Sequence, residues 1–294
     1  MIEAASKARI GFVGLGIMGH SMAGHLLAAG HPLRVYNRSP GKAAALLARG
    51  ATWCDTPGEL AAASDVVITI VGHPRDVEQV WLGVDGILAH ARNALLIDMT
   101  TSSPALAQRL AQEAAGRGCR ALDAPVSGGD VGAREARLSI MVGGAADHFE
   151  QALPILALMG KNVVHTGPAG TGQHTKLANQ LVIASTIMGV CEGLAYARAA
   201  GLNLDTVLQC IGGGAAASTQ LAMMGPRIAR GDYAPGFMIE HFLKDLSLAL
   251  EEAGRMDQPL PGAQQARKLY EQLAADGHGR DGTQALALMY GALA

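Results

Sequence analysis

A strand, a glycine-rich turn and the beginning of a helix are encoded in Ile10-Gly11-Phe12-Val13-Gly14-Leu15-Gly16-Ile17-Met18-Gly19. The run Ile10–Val13 carries no polar side chain and predicts a strand that is buried on both faces. Three glycines follow at the spacing G-x-G-x-x-G, and from His20 onwards the residues favour a helix. A strand directly before this spacing and a helix directly after it are the context that indicates a dinucleotide-binding loop.

Each glycine of this turn has a separate physical task. Gly14 permits the sharp turn, Gly16 allows the backbone to approach a pyrophosphate, and Gly19 lets the helix pack closely on the strand. The unpaired amides at the helix N-terminus and the positive end of its dipole attract the phosphates. The residues predicted to bind the cofactor here are Gly14, Leu15, Gly16, Ile17, Met18 and Gly19.

The end of the second predicted strand indicates which dinucleotide is bound. An NAD site places an acidic residue about 20 residues after the loop, where it accepts hydrogen bonds from the ribose. This chain has Asn37-Arg38-Ser39 instead. A 2′-phosphate then meets no carboxylate, while Arg38 offers a planar pair of donors and Ser39 a hydroxyl. We predict NADP(H) as the preferred cofactor and leave use of NAD(H) open. The alternative is that Arg38 is an ordinary solvated arginine.

The first half of the chain predicts a doubly wound α/β domain. Between Arg9 and about Thr166, short apolar runs alternate with Ala- and Leu-rich stretches of helical spacing. Continuous apolar strands, each followed by a helix, are typical of a parallel sheet covered on both faces. The predicted strands are Ile10–Val13, Leu33–Tyr36, Val66–Val71, Ala94–Ile97, Ser139–Val142 and Val163–His165.

After Gly172 the pattern becomes helical. The predicted helices are Thr175–Ala200, Leu204–Ile211, Ser218–Ile228, Phe242–Met256, Gly262–Asp276 and Thr283–Leu293. Glycines between them act as stops and turns. We therefore predict a Rossmann domain over residues 1–166 and an all-helical domain over residues 167–294, joined directly by a long helix.

Composition limits the classes of partner. The 294 residues carry a net charge of -2, so no overall field attracts nucleic acid or an anionic membrane. Scattered cysteines and the lack of a visible signal peptide favour a cytoplasmic protein with reduced thiols. The uncharged run Leu177–Cys191 is shorter than the roughly 18–20 residues that span a bilayer, so we expect no membrane partner. His20 and His25 lack the i, i+4 spacing of a helical metal site, and no metal is expected.

Three further segments carry polar groups suited to chemistry. Asp98–Pro104 follows a predicted strand and places hydroxyls at the edge of the sheet where ligands bind. In Asp123–Gly129, Ser127 and two glycines can turn successive amides toward one point and so bind a carboxylate. Lys176 lies in Gly170–Asn179 at the start of an otherwise apolar helix, a position suited to tuning its pKa. Singly, these segments have ordinary explanations: strand-to-helix turns, and a lysine whose ammonium reaches solvent from a helix end.

The order of these segments is similar to that of the β-hydroxyacid dehydrogenase family. That family includes 3-hydroxyisobutyrate dehydrogenase, tartronate semialdehyde reductase and the glyoxylate/succinic semialdehyde reductases. The resemblance covers the chain from Ile10 to Leu293 and implies hydride transfer between a nicotinamide cofactor and a short 3-hydroxyacid or its semialdehyde. The segments that carry it are Gly14–Gly19, Asp98–Pro104, Asp123–Gly129, Gly170–Asn179 and Lys244-Asp245.

The resemblance implies roles for residues at the reacting centre. Lys176 would be the catalytic lysine, and Asn179, one helical turn later, would position the substrate or the ammonium. Ser127, Gly128 and Gly129 would hold the substrate carboxylate, and Ser127 would also be a catalytic residue. An ammonium beside a carbonyl stabilises the developing oxyanion and donates the proton.

The resemblance also assigns supporting residues. Thr101 would lie by the nicotinamide, and Lys244 would reach the cofactor from the helical domain. Asp245 would support the charge arrangement of the site, and Phe237 would close the apolar side of the substrate pocket. In the oxidative direction Lys176 must act as a base, which requires its pKa to fall below the ordinary value of about 10.4. Burial and the charge of Lys244 would both lower it.

The substrate is predicted from finer likenesses. Ile211–Thr219, Val164–Gly167 and Thr175–Gln180 are more similar to the tartronate semialdehyde reductases, whereas Val71–Pro74 departs from their pattern. We predict reduction of tartronate semialdehyde (2-hydroxy-3-oxopropionate). The alternatives are a 3-hydroxyisobutyrate dehydrogenase and a glyoxylate or succinic semialdehyde reductase. Two rivals, a noncatalytic dinucleotide-binding module and an imine reductase, are disfavoured by Lys176. The resemblance further implies a homodimer or homotetramer formed through the helical domain.

Overall fold

A computed structural model describes residues 7–291 of the chain. The contacts divide the chain into two compact units, Met1–Lys176 and Leu177–Ala294. The predicted domain limits, 1–166 and 167–294, stay a prediction, since the boundary between the units falls inside a helix. Residues 1–6 and 292–294, which those limits include, lie outside the described residues.

The first unit is built on one mostly parallel sheet. Its strands are β1 (Ile10–Val13), β2 (Leu33–Tyr36), β3 (Thr52–Trp53), β4 (Val66–Thr69), β5 (Leu95–Asp98), β6 (Arg120–Asp123), β7 (Val126–Ser127), β8 (Leu138–Gly144) and β9 (Gly160–Gly167). Their order is β3-β2-β1-β4-β5-β6-β8-β7, with β9 paired to β8. All neighbours from β3 to β6 are parallel, which confirms the predicted doubly wound α/β fold.

Helices connect the strands of this unit. They are α1 (Ile17–Ala28), α2 (Ala44–Leu47), α3 (Pro57–Ala62), α4 (Pro74–Leu82), α5 (Ile87–His90), α6 (Pro104–Ala115), α7 (Gly129–Arg134) and α8 (Ala146–Leu156), with a 3-10 turn over Pro40–Ala43. Local capping explains where two of them begin. The hydroxyls of Thr56 and Ser103 accept hydrogen bonds from amides in the first turns of α3 and α6, and each is followed by a proline.

The edge of the sheet that contains β8 differs from the sequence prediction. β8 runs antiparallel to both β6 and β7, whereas β9 runs parallel to β8. The pairing of β7 with β8 is antiparallel because their connection holds little more than α7, and a parallel crossover needs a dozen or more residues. β3, β6 and β7 were not predicted as strands, since none contains a long apolar run.

The core explains why the predicted strands are continuous apolar runs. Along β1, Ile10 and Phe12 join one buried cluster, while Val13 belongs to another. β4 and β5 alternate in the same way, with Val67 and Leu96 facing the second cluster. Both faces of the sheet are therefore covered, and every position in these strands favours an apolar side chain.

The second unit is helical. Its helices are α9 (Thr171–Ala199), which begins in the first unit, then α10 (Leu204–Gly212), α11 (Thr219–Ala229), α12 (Ile239–Arg255) and α13 (Pro261–Leu273), a π turn over Ala274–His278 and a 3-10 helix over Thr283–Tyr290. Up to residue 291 it contains no strand, only an isolated bridge between Met238 and Gly282, which confirms the predicted helical half. The last segment was predicted as Thr283–Leu293; its end lies outside the described residues.

α9 is the longest element. Its buried side chains include Ala184, Ile187, Cys191 and Leu194, which form part of the core of the second unit. Among the described residues it is the one helix long and apolar enough to cross a membrane by length and composition, with 39% of its most apolar stretch buried. Core helices of globular proteins meet the same two criteria, so the expectation of no membrane partner stays a prediction.

Candidate active site

The glycine-rich turn after β1 has the backbone that a dinucleotide loop requires. Gly14 has a φ of 100°, and a Cβ there would lie 2.0 Å from the carbonyl oxygen of Ile70. A Cβ on Gly19 would lie 2.0 Å from the carbonyl oxygen of Gly14. Around Gly16, by contrast, a Cβ would meet no atom of the described residues within 4 Å. The two outer glycines are required by the protein itself, and the middle one leaves room for a pyrophosphate.

The loop after β2 contacts the glycine-rich turn through Asn37. Its side-chain oxygen accepts a hydrogen bond from the amide of Leu15 at 2.9 Å, and its Nδ2 donates to the carbonyl of Ser39 at 2.9 Å. Arg38 is exposed, and within the described part of the chain its guanidinium makes no hydrogen bond or ion pair. Ser39 is also exposed. Asn37 therefore shapes the loops, while the side chain of Arg38 is open to solvent.

The remaining loop residues differ in burial. Leu15 is buried and belongs to the core, and Met18 packs against the same core from a half-buried position. Ile17 is exposed at the start of α1. Because Ile17 does not pack in the core, its side chain is available to contact a cofactor.

A buried carboxylate orders the loops at the C-terminal ends of β4 and β5. Asp98 Oδ1 accepts hydrogen bonds from Thr69 Oγ1 at 2.8 Å and from the amide of Thr100 at 3.1 Å. Trp81 Nε1 donates to the same threonine hydroxyl, and the Thr100 hydroxyl accepts from the amide of Val71. Burial raises the pKa of Asp98 to about 6, although the hydrogen bonds act in the opposite direction. Buried hydrogen bonds therefore connect the loop after β4 to the loop after β5.

A second buried carboxylate lies beside the first. The register of β5 and β6 pairs Asp98 with Asp123. Asp123 Oδ1 accepts from the amide of Gly170 at 2.8 Å, and Oδ2 accepts from the amide of Gln173 at 2.9 Å. Burial raises the pKa of Asp123 above its ordinary value, against the lowering effect of these amides. The carboxylate therefore connects the end of β6 to the beginning of α9.

Gln173 continues this network to the loop that contains Thr101. Its Nε2 donates to the carbonyl of Thr100 at 2.8 Å, and its Oε1 accepts from the amide of Ser102 at 2.8 Å. Gln173 is fully buried and Thr101 is half-buried. Neither Gln173 nor Asp123 was assigned a role from the sequence. The available signal was a glutamine one helical turn before Lys176 in an otherwise apolar helix.

Lys176 lies in the second turn of α9. The sequence predicted that this helix begins at Thr175, but it begins at Thr171, so the lysine is not at its end. Only 6% of Lys176 is exposed. The residue is therefore almost wholly withdrawn from bulk water.

Ser127 and the two glycines after it turn the chain from β7 into α7. Ser127 is half-buried and pairs with Ser139 of β8. Gly128 and Gly129 have φ values of 131° and 62°, a conformation that side chains rarely adopt. His25 of α1 bonds through Nε2 to the carbonyl of Ala133 at 2.9 Å, which joins α7 to the helix of the dinucleotide loop. Successive amides in such a turn can bind a carboxylate.

In the second unit, three predicted residues are linked through a buried glutamine. Asn179 Nδ2 donates to Gln180 Oε1 at 2.8 Å, and Gln180 Nε2 donates to Asp245 Oδ2 at 2.7 Å. Lys244 Nζ lies 3.0 Å from Asp245 Oδ1. Gln180 was not predicted, and its role follows only from these contacts. Asn179, Lys244 and Asp245 therefore form one polar group.

Phe237 lies against other rings in the second unit. Its ring stacks with His241 at 6.4 Å and meets Phe242 edge to face at 6.0 Å. The side chain is 37% exposed, so an apolar surface remains available to a ligand. The predicted contact with substrate stays a prediction.

The loop geometry, the buried lysine and the polar residues at the strand ends define a nicotinamide dinucleotide-dependent oxidoreductase. Residues 9–167 match the NAD binding domain of 6-phosphogluconate dehydrogenase, and residues 170–290 match the NAD-binding domain of NADP-dependent 3-hydroxyisobutyrate dehydrogenase. The chain belongs to the β-hydroxyacid dehydrogenase family, as predicted.

Similar proteins cover nearly the whole chain. A mitochondrial 3-hydroxyisobutyrate dehydrogenase-like protein of Arabidopsis thaliana is 47% identical over 285 residues, 96% of this chain and 85% of that protein. The 2-hydroxy-3-oxopropionate reductase of Escherichia coli is 40% identical over 270 residues, 92% of each chain. The structure of Mycobacterium tuberculosis 3-hydroxyisobutyrate dehydrogenase with L-serine has a TM-score of 0.88 at 31% identity, covering 97% of this chain and 100% of that one. The prediction of an NAD(P)-dependent 3-hydroxyacid dehydrogenase is confirmed.

Proposed function

We propose that this enzyme uses NADP(H) to reduce a short semialdehyde that carries a carboxylate, with tartronate semialdehyde as the preferred substrate. The observation that carries this proposal is the burial of Lys176 in the helix that begins at the sheet edge of the dinucleotide-binding unit. The similarity to the Escherichia coli 2-hydroxy-3-oxopropionate reductase supports the choice of substrate. The alternatives are a 3-hydroxyisobutyrate dehydrogenase and a glyoxylate or succinic semialdehyde reductase.

The residues of the site divide the chemistry among them. The nicotinamide, when bound, supplies a hydride to the aldehyde carbon. The ammonium of Lys176 stabilises the negative charge on the carbonyl oxygen and gives that oxygen its proton, which yields the hydroxyl of the product. Ser127, Gly128 and Gly129 hold the substrate carboxylate, and Asn179 orients the reacting groups. In the reverse direction the neutral amine of Lys176 accepts the hydroxyl proton.

The proposed chemistry is tested by substituting the lysine. We expect the purified enzyme to oxidise NADPH with tartronate semialdehyde at a higher kcat/KM than with glyoxylate, succinic semialdehyde or methylmalonate semialdehyde. Lys176→Ala should lower kcat by about 10²- to 10⁴-fold, the usual contribution of a general acid. NADPH binding, followed by fluorescence, should be retained. Lys161→Ala, which removes an exposed lysine of β9, is the control. Turnover by Lys176→Ala equal to that of the control would overturn the mechanism.

The cofactor preference is proposed from the loop after β2. Arg38 is exposed beside Asn37, and the chain has no acidic residue among Asn37-Arg38-Ser39. The match of residues 170–290 to an NADP-dependent dehydrogenase supports the same choice. A guanidinium binds a 2′-phosphate through two parallel hydrogen bonds, whereas a ribose hydroxyl gains little from it.

We also propose that α9 forms the contact of a homodimer or homotetramer. Val182 and Tyr196 are exposed on this helix by 67% and 76%. Gly189 and Gly193 lie between them, also exposed, so another backbone could approach closely. A cytoplasmic location stays a prediction.

A further inference from the structure

The first turn of α9 is capped by a side chain from a distant strand. The amides at a helix N-terminus have no partner within the helix and need an acceptor. Asp123 of β6 accepts hydrogen bonds from the amides of Gly170 and Gln173, at 2.8 and 2.9 Å. A carboxylate at the positive end of a helix dipole is an effective cap, and its hydrogen bonds are charge-assisted.

The helix also rests directly on backbone at this point. A Cβ on Gly172 would lie 2.5 Å from the carbonyl oxygen of Met141 and 2.6 Å from that of Asp123. No side chain fits between the helix and the strands that carry these two residues. The position of the first turn is therefore set by direct contact as well as by the cap.

Gln173 makes a second connection from the same turn. Its side chain bonds to the carbonyl of Thr100 and the amide of Ser102, which are the two neighbours of Thr101. Gln173 precedes Lys176 by three residues, so the two side chains share a face of the helix. Both are buried.

We propose that Asp123 and Gln173 act as a clamp that positions Lys176 relative to the Thr101 loop. Neither is expected to touch substrate; both are positioning residues that act through the helix and the loop. This proposal rests on the proposed function, in which Lys176 donates a proton to the carbonyl oxygen of the substrate. A small misplacement of such a group can cost on the order of 100-fold in rate.

Two substitutions test the clamp. Gln173→Met is similar in volume and removes both loop contacts, and Asp123→Asn removes the charge and puts an amide group opposite a backbone amide. We expect either to lower kcat about 10- to 100-fold while the affinity for NADPH, measured by fluorescence, changes less than twofold. With NADPH deuterated at the transferred position, the isotope effect on kcat should increase, because hydride transfer becomes slower. Glu252→Gln, a buried carboxylate on α12 that pairs with Arg255, is the control.

Amide hydrogen exchange provides a readout that needs no substrate. In both clamp variants, exchange should quicken over residues 100–103 and 171–176 and remain unchanged in β1 and β4. Unchanged exchange in both segments would overturn the clamp, whether or not the enzyme reduces an aldehyde. A lower kcat with an unaltered isotope effect would also overturn it, because a smaller fraction of folded enzyme lowers the apparent kcat without changing the isotope effect. Failure of the wild-type enzyme with all the aldehydes would instead contradict the proposed function.

Discussion

At the scale of single residues, Asn37 and Arg38 are neighbours with different tasks. Asn37 accepts a hydrogen bond from the amide of Leu15, so it maintains the glycine-rich turn before any cofactor binds. Arg38 is exposed and is free of hydrogen bonds and ion pairs to residues 7–291. Substitution of Asn37 would disturb the fold of the loop, whereas substitution of Arg38 changes only what solvent and ligand meet.

Arg38→Asp should therefore reverse the cofactor preference. A carboxylate at this position repels the 2′-phosphate and accepts hydrogen bonds from the ribose of NADH. We expect kcat/KM for NADPH to fall by about 10- to 100-fold, the equivalent of losing one or two charge-assisted hydrogen bonds, with NADH unchanged or improved. Steady-state kinetics with both cofactors measure this. Lys268→Asp, which makes the same charge change at an exposed site on α13, serves as the control. An unaltered NADPH/NADH ratio would reject the assignment.

At the scale of elements, α9 has a buried face that carries polar side chains and an exposed face that carries apolar ones. Gln173, Lys176 and Gln180 recur at helical spacing on one buried face, and each of the glutamines bonds to a different part of the chain. Val182 and Tyr196 lie on an exposed face. A helix that only filled a core would bury its apolar side chains and carry no buried glutamines. Both faces of α9 therefore point to tasks beyond core packing.

The exposed face gives an expectation for assembly. The double substitution Val182→Lys with Tyr196→Glu should shift the protein from an oligomer towards the monomer, because a charge buried in an interface loses its hydration. Size-exclusion chromatography with light scattering measures the mass. Val84→Lys, at a residue of the first unit that is 91% exposed, is the matched control. If wild type is monomeric, or if the double variant keeps the wild-type mass, α9 is not the contact.

The start of α9 also shows why an element boundary was missed. The local residues Thr171 to His174 are polar or small and give no helical signal, so Thr175 was the predicted start. The helix begins earlier because Asp123, far away in the sequence, accepts its first amides. A cap that is not local cannot be recognised from local pattern.

At the scale of the whole molecule, the buried carboxylates make stability depend on pH. Burial raises the pKa of Asp98 to about 6, above the roughly 3.9 of an unfolded chain. A group with a raised pKa in the folded state contributes stability that is complete below the unfolded value and is lost as pH rises through the folded value. Asp98 should thus lower the free energy of unfolding by roughly 2–3 kcal/mol between about pH 4 and pH 7. The raised pKa of Asp123 acts with the same sign.

Asp98→Asn should remove this contribution. The amide oxygen can still accept from Thr69 and Thr100, while no charge is buried. Urea unfolding at several pH values should show the variant gaining stability relative to wild type as pH rises from 4 to 7. Asp65→Asn is the comparison, because Arg9 lowers the pKa of that carboxyl. Relative to wild type, this variant should lose stability as pH rises through the acidic range up to the ordinary pKa of an aspartate. A pH profile of Asp98→Asn parallel to wild type would contradict the expectation.

The local sequence by itself determined the dinucleotide loop, the two-sided sheet and the helical second half. Gly14 has a φ of 100°, and Gly19 is required by its close approach to the carbonyl of Gly14 within one strand-turn-helix unit. Continuous apolar strands follow from a sheet covered on both faces. The family resemblance supplied Lys176, whose burial the structure shows.

Tertiary structure alone decided which distant polar groups bond to residues at the start of α9. Asp123 meets the amides of Gly170 and Gln173 across 47 and 50 residues, and Gln180 meets Asp245 across 65. The antiparallel placement of β8 was likewise settled by chain connection rather than by its apolar pattern. Residue spacing records periodicity along one element, whereas these contacts arise from packing between elements, where burial makes every unpaired amide or carboxylate costly.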